Sequence, residues 1–236
     1  INNDPEDTSG AKLLESAAKL ASATDNKLIQ IMKCDLNISN CIIDTVQANK
    51  ITDLIVGIHH KANIVDTFLG GTITALINGT SHQNLIIYGP KRPVNSVKRL
   101  VITVPQMAEL EIGFDLWFDR VKNIASQLSI PIVFYANKTT TEALKKQCEI
   151  HSSLNVSFRE LASWEDFLII SKDIKHSDTL IVITARKATM SYNNLFEKIP
   201  YYLNKYFADN NFLLIYPQQT APDGTDNDIY NPLKIS

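Results

Sequence analysis

The sequence predicts an α/β protein made of two doubly wound, parallel-sheet modules, the first of them truncated on its N-terminal side. Three observations predict this. Along the 236 residues, short runs of Leu, Ile and Val alternate with amphipathic segments, the pattern of parallel strands joined by right-handed crossovers. Similar strands also recur at nearly one spacing. Leu54 of Asp53-Leu54-Ile55-Val56 and Leu180 of Thr179-Leu180-Ile181-Val182 lie 126 positions apart, and Tyr88 and Tyr216, each closing an apolar strand after an Asn, lie 128 apart. Either match alone is weak, because such strands are common, but two agreeing spacings argue for a duplication. Finally, 44% apolar and 20% charged residues are proportions of a chain that buries a core.

The elements follow in order. Residues 11–23 carry Leu13, Leu14, Ala17, Ala18, Leu20 and Ala21 at helical spacing. Residues 27–34 (KLIQIMKC) read as a strand, and 39–50 as a helix with Ser39 as its N-cap. Residues 53–58 (DLIVGI) form a short continuous apolar run, as a buried parallel strand would. A helix over 67–78 and a strand over 84–88, stopped by Gly89-Pro90, close the first module at residues 1–90. After the linker KRPVNS, the second module spans 96–217. Its predicted strands are 98–104, 131–136, 154–160, 179–184 and 212–216, and its helices are 109–128, 140–150, 164–174 and 192–207. The helix at 109–128 is the clearest, with Phe114, Trp117, Phe118, Val121, Ile124, Ala125 and Leu128 on one face. That spacing makes its aromatics core rather than base-stacking residues. Residues 218–236 form a polar tail.

A net charge of −2 with scattered Lys and Arg gives no field for nucleic acid or an anionic membrane surface. Cys34, Cys41 and Cys148 form neither a disulfide framework nor a zinc spacing, as expected of thiols in a reducing cytosol. No apolar run reaches the roughly 18 residues needed to span a bilayer, and no signal peptide is visible. Residue 1 is Ile rather than Met, as expected of a piece of a longer chain. The adjacent His59 and His60 offer no shared metal site, and His82, His151 and His176 stand alone. Gly-x-Ser-x-Gly and Gly-x4-Gly-Lys-Ser/Thr motifs are absent, and no carboxylate pair is marked out. No catalytic residue is therefore assigned.

The element order β-α-β-α-β-α-β-α-β, the strand DLIVGI closing on glycine, the glycine pair ahead of a helix and the last apolar strand together resemble the universal stress protein family. The resemblance covers nearly all of residues 11–217. It implies two adenine-nucleotide α-hydrolase-like modules with strand order 3-2-1-4-5. It also implies that strands 84–88 and 212–216 pair antiparallel, making the chain its own pseudo-dimer, with a homodimer as the other arrangement. The first copy lacks its first strand and first helix by this alignment, so its sheet closes on flanking strands or on a segment of another chain.

Many family members bind ATP through a Gly-x2-Gly-x9-Gly-Ser/Thr loop after the fourth strand. Glycines there let backbone N–H groups approach phosphate at a helix N-terminus. The first copy keeps that spacing as Gly57-x2-His60-x9-Gly70-Gly71-Thr72, with His60 replacing a glycine. These five residues are the candidate ATP or AMP site, against glycines that serve only packing and a turn. The second copy reads ITARKATMSYNNLFEK at the equivalent place, without glycine. Glu197 there is expected to repel phosphate, and Arg186 and Lys187 to lie in a solvated loop. Tandem copies with degraded ATP loops resemble the C-terminal cytoplasmic regions of bacterial sodium/proton antiporters. The resemblance thus implies a non-catalytic, cytoplasmic regulatory module whose partner is the transport domain of the same chain. The alternative is a free-standing tandem stress protein that binds ATP or AMP. A hydrolase or transferase of the nucleotide α-hydrolase type would need a phosphate-binding loop after the first strand, and Val104-Pro105-Gln106-Met107 is not one.

Overall fold

A computed structural model describes residues 9–24, 26–33, 36–58, 71–149 and 154–219. The chain divides into two compact units, Ile1–Asn49 and Lys50–Ser236.

The first unit contains helices α1 (Ser9–Ser22) and α2 (Ile38–Ala48). On α1 the apolar stripe includes Leu13 and Leu20, both exposed. The N-cap of α2 is Asn37 rather than Ser39. Its side chain accepts the Asn40 N–H at 3.1 Å, the task a cap performs for an unpaired first-turn donor, while Ser39 is buried in the first turn. Residues 27–33 form no strand. Their alternating apolar residues are exposed, Ile29 at 66%, and no ladder partner is present among the described residues. A β-pattern without a neighbouring strand to receive its N–H and C=O groups does not make a stable element.

The second unit is organised around one seven-stranded sheet. Its strands are β1 (Asp53–Gly57), β2 (Asn84–Gly89), β3 (Arg99–Thr103), β4 (Ile132–Ala136), β5 (Val156–Glu160), β6 (Asp178–Ile183) and β7 (Asn211–Tyr216). Their order across the sheet is β1-β2-β7-β6-β3-β4-β5. Five strands, β5-β4-β3-β6-β7, run parallel in the expected 3-2-1-4-5 order of a doubly wound module. β1 is parallel to β2. Between β2 and β7 lies an antiparallel seam, in register from Leu85↔Tyr216 to Gly89↔Phe212.

Helices α3 (Gly71–Gly79), α4 (Phe114–Leu128), α5 (Lys138–Glu149) and α6 (Ile199–Tyr206) accompany these strands. One face of the sheet packs Leu100, Ile102, Phe134 and Ile181 against Trp117, Phe118 and Val121 of α4 and Leu144 of α5. The alternate positions Val101, Val133, Leu180 and Val182, also buried, face the other way, as the pleat requires. On that side Phe167 stacks on Trp164 at 5.3 Å between ring centres and meets Phe207 edge-on at 5.7 Å. No helix among the described residues is long and apolar enough to cross a membrane.

Several elements differ from expectation for local reasons. Residues 164–172 form a 3-10 helix. Its buried residues Trp164, Phe167 and Ile170 repeat every third position, which a three-residue turn aligns on one face. The segment expected as one helix over 192–207 is a 3-10 turn, Asn194–Lys198, followed by α6. Pro200 in the first turn of α6 fits there because a first-turn N–H needs no helical partner. Similarly, α4 starts at Phe114 rather than 109, after a short 3-10 turn at Ala108–Leu110. β1 was expected to be buried, yet Ile55 is 65% exposed, because β1 has only β2 as a described neighbour. The linker is anchored as well. Asn211 Oδ1 accepts the N–H groups of Lys91 at 2.6 Å and Arg92 at 2.9 Å.

Candidate functional site

In a doubly wound sheet, connections leave the two central strands in opposite directions and open a crevice at their carboxyl ends. Here those strands are β3 and β6. A cavity of about 160 Å³ lies at this point. It is lined from the loop after β3 by Val104, Gln106 and Met107, and from the end of β4 by Asn137. Leu161 to Trp164 contribute after β5, and Met190 to Asn193 after β6.

Both loops flanking the crevice hold a non-glycine residue in left-handed backbone conformation, Met107 (φ 65°) and Ala188 (φ 68°). Such residues cost on the order of 1–3 kcal/mol and persist where surrounding contacts hold them. Glu111 Oε1 accepts both the N–H and the hydroxyl of Ser191, each at 2.8 Å. Aromatic rings pack together beside this wall. There Trp164 meets Phe196 edge-on at 4.8 Å, and Tyr192 meets the same ring at 5.8 Å.

Two asparagines of the wall also start helices. Asn137 Oδ1 accepts the Thr140 N–H at 2.9 Å, and Asn193 Oδ1 accepts the Leu195 N–H at 2.8 Å. The Trp164 indole Nε1–H is buried and finds no hydrogen-bond partner among the described residues.

Arg186, expected in a solvated loop, is instead 7% exposed. Its guanidinium donates to the carbonyl oxygens of Ile77, Thr80 and Gln83, at 2.7 Å for Thr80 and 3.1 Å for Gln83. The correction has a clear cause. Ile77 belongs to the last turn of α3, whose final carbonyls have no helical partner and attract a cation. Burial draws the Arg186 pKa down to about 10, so it stays protonated at neutral pH. Lys187 does lie at the surface, paired with Glu197 at 2.8 Å. Glu197 is exposed and lies outside the cavity wall. The carboxylate that touches the crevice loop is Glu111, which spacing alone did not single out.

Of the sequence-predicted phosphate loop, Gly57 ends β1, Gly71 begins α3 and Thr72 follows it. His60 and Gly70 lie outside the described residues. A Cβ built on Gly57 or Gly71 would meet no described atom within 4 Å, so packing among the described residues does not require glycine at either. No group of three or more His, Cys, Asp or Glu suited to a metal occurs among the described residues.

No protein-family model and no curated protein matches the sequence. Solved structures do share the fold. The cytoplasmic domain of a prokaryotic cation chloride cotransporter superposes with a TM-score of 0.58 at 11% identity, covering 91% of this chain and 82% of that one. A functionally unknown protein from Pseudomonas aeruginosa gives 0.57 at 13% identity, with 91% and 80% covered. A universal stress protein from Archaeoglobus fulgidus gives 0.54 at 11% identity, with 88% and 77% covered. The α/β architecture is therefore that of universal stress proteins.

Proposed function

We propose that a chain with this fold serves as a non-catalytic regulatory module of a membrane ion transporter, a bacterial sodium/proton antiporter in particular, on the cytoplasmic side of the membrane. On this reading β1-α3-β2 is what remains of a first copy and β3 to β7 form the second. One observation carries the sensing role. The single loop after β6 lines the crevice through Met190 to Asn193 and, through Arg186, holds the end of α3 across the seam. A ligand that prefers one arrangement of this loop would bias the position of α3, and differential affinity of that kind is what regulation requires. Support for a transporter setting comes from the shared architecture with the cotransporter cytoplasmic domain. The partner on this reading is a transport domain in the same longer chain.

Reading the coding sequence upstream of Ile1 tests the transporter setting. Several apolar spans of roughly 20 residues each are expected there. A short stretch opening with Met would overturn it.

A second reading, a free-standing tandem protein that binds ATP or AMP, is favoured by Gly57 and Gly71, where an added Cβ would meet no described atom within 4 Å. Calorimetric titration with ATP separates the two. Tight binding abolished by Gly71→Val would favour this second reading.

A further inference from the structure

We propose that the crevice between β3 and β6 binds a small, flat, uncharged compound through its carbonyl oxygens, and does not take a phosphorylated nucleotide. This rests on the reading of the crevice as the ligand site of the module.

Asn137 and Asn193 each commit Oδ1 to a helix-start N–H, which leaves the amino group of each as a donor. Trp164, 6% exposed, lines the same cavity, and its buried Nε1–H has no acceptor among the described residues. The Nε1–H is closed off as the ring stands, so a bound acceptor oxygen reaches it only with a turn of the indole, which would relieve the roughly 1–3 kcal/mol that an unpartnered buried donor costs. The unmet demand of the wall is thus for acceptors.

Charge then selects among acceptors. Among the described residues, no ionised side chain lines the cavity. On the β6 side, Arg186 is committed to three carbonyls and Lys187 to Glu197. Glu111 places a carboxylate on the N–H and hydroxyl of Ser191, the groups that an anion would otherwise seek. A phosphate entering here would find no cation among the described wall residues and a carboxylate close by, whereas a neutral carbonyl pays no such penalty.

Size and shape narrow the class further. About 160 Å³ is below the roughly 300–1,000 Å³ of drug-sized pockets and suits a single ring. The indole of Trp164 and the ring of Tyr192 give that ring an aromatic surface. Met107 and Met190, both exposed, border the cavity with flexible thioethers able to follow its outline.

The test uses the 236-residue chain titrated with uracil, with nicotinamide and with AMP, followed by calorimetry and tryptophan emission. Trp164 is one of two tryptophans, and the other, Trp117, is buried in the core, so quenching reports the crevice. Saturable binding of at least one neutral probe is expected, with AMP bound far more weakly. Trp164→Phe keeps a ring and removes the donor. Asn193→Asp keeps the oxygen that caps Leu195 and turns the amino donor into an acceptor. Each is expected to weaken the neutral probe about tenfold or more, the loss of one well-formed hydrogen bond. Should Trp164→Phe fold poorly, Asn193→Asp decides. AMP binding as tightly as the neutral probes, no saturable binding of either neutral probe, or unchanged affinity in Asn193→Asp would overturn the proposal. None of these outcomes bears on the transporter setting, which the upstream sequence tests separately.

Discussion

Arg186 is a cation whose partners are all backbone oxygens. Replacing it with Ala strands the carbonyls of Ile77, Thr80 and Gln83 beneath a cavity. We expect Arg186→Ala to cost about 2–3 kcal/mol, measured as a lower urea midpoint with an unchanged slope. Arg186→Lys should recover only part of this, because one ammonium cannot reproduce the planar fork. A second polar cluster ties β1 to α4. Arg120 donates to both Asp53 oxygens, at 3.0 and 2.9 Å, and Asn84 donates to Oδ1 at 3.0 Å. Burial alone would raise the Asp53 carboxyl, but the hydrogen bonds from Arg120, Asn84 and Thr52 outweigh it and hold it below the ordinary 3.8. Burial would likewise raise the Asp173 carboxyl, but Tyr135, Arg99 and Arg159 outweigh it and leave it lowered. A carboxyl that releases its proton more readily when folded adds stability above its unfolded value and loses it as pH falls through the folded value. Stability should therefore hold near neutrality and drain as pH drops below about 4. In Asp53→Asn the acid slope of the urea midpoint should be shallower.

At the level of elements, the seam between β2 and β7 is packed closely at Gly89. A Cβ there would stand 2.2 Å from Cε1 of Phe212, a residue 1% exposed. Gly89→Ala is expected to destabilise by about 1–3 kcal/mol. Adding Phe212→Leu should return part of that loss, and a double-mutant cycle by chemical denaturation measures the coupling. The seam strands themselves were legible, because Asn84–Tyr88 and Asn211–Tyr216 are apolar runs bounded by turn residues. So was the buried face of α4, where Trp117 and Val121 are fully buried. Type and boundary were harder to read where periods compete. The three-residue spacing of Trp164, Phe167 and Ile170 was the available sign of a 3-10 helix, and Pro200 marked where α6 begins. The crevice was less legible still. Asn137 and Asn193 read as ordinary caps, and only the fold brings them beside Trp164. Nor does local sequence reveal the partners of Arg186, since they lie more than 100 positions away.

Across the whole molecule, burial is uneven. β3, β4 and β6 are buried almost throughout, whereas β1 and β5 are half open. Stability within one fold spans a range from open edges to the buried centre. Hydrogen exchange should therefore be slowest for amides of β3 and β6, intermediate at β2 and β7, and fastest at β1 and β5. Equal protection of β1 and β3 would show that a further chain segment covers β1.

The seam also fixes direction. Because β2 and β7 run oppositely while β1 follows β2 and β3 to β6 follow β7, the loops after β1 and after β6 leave from opposite rims of the sheet. Gly57 points one way and the crevice the other. The molecule is thus bipolar. A ligand at one rim would therefore leave the other rim free, because the width of the sheet separates the two.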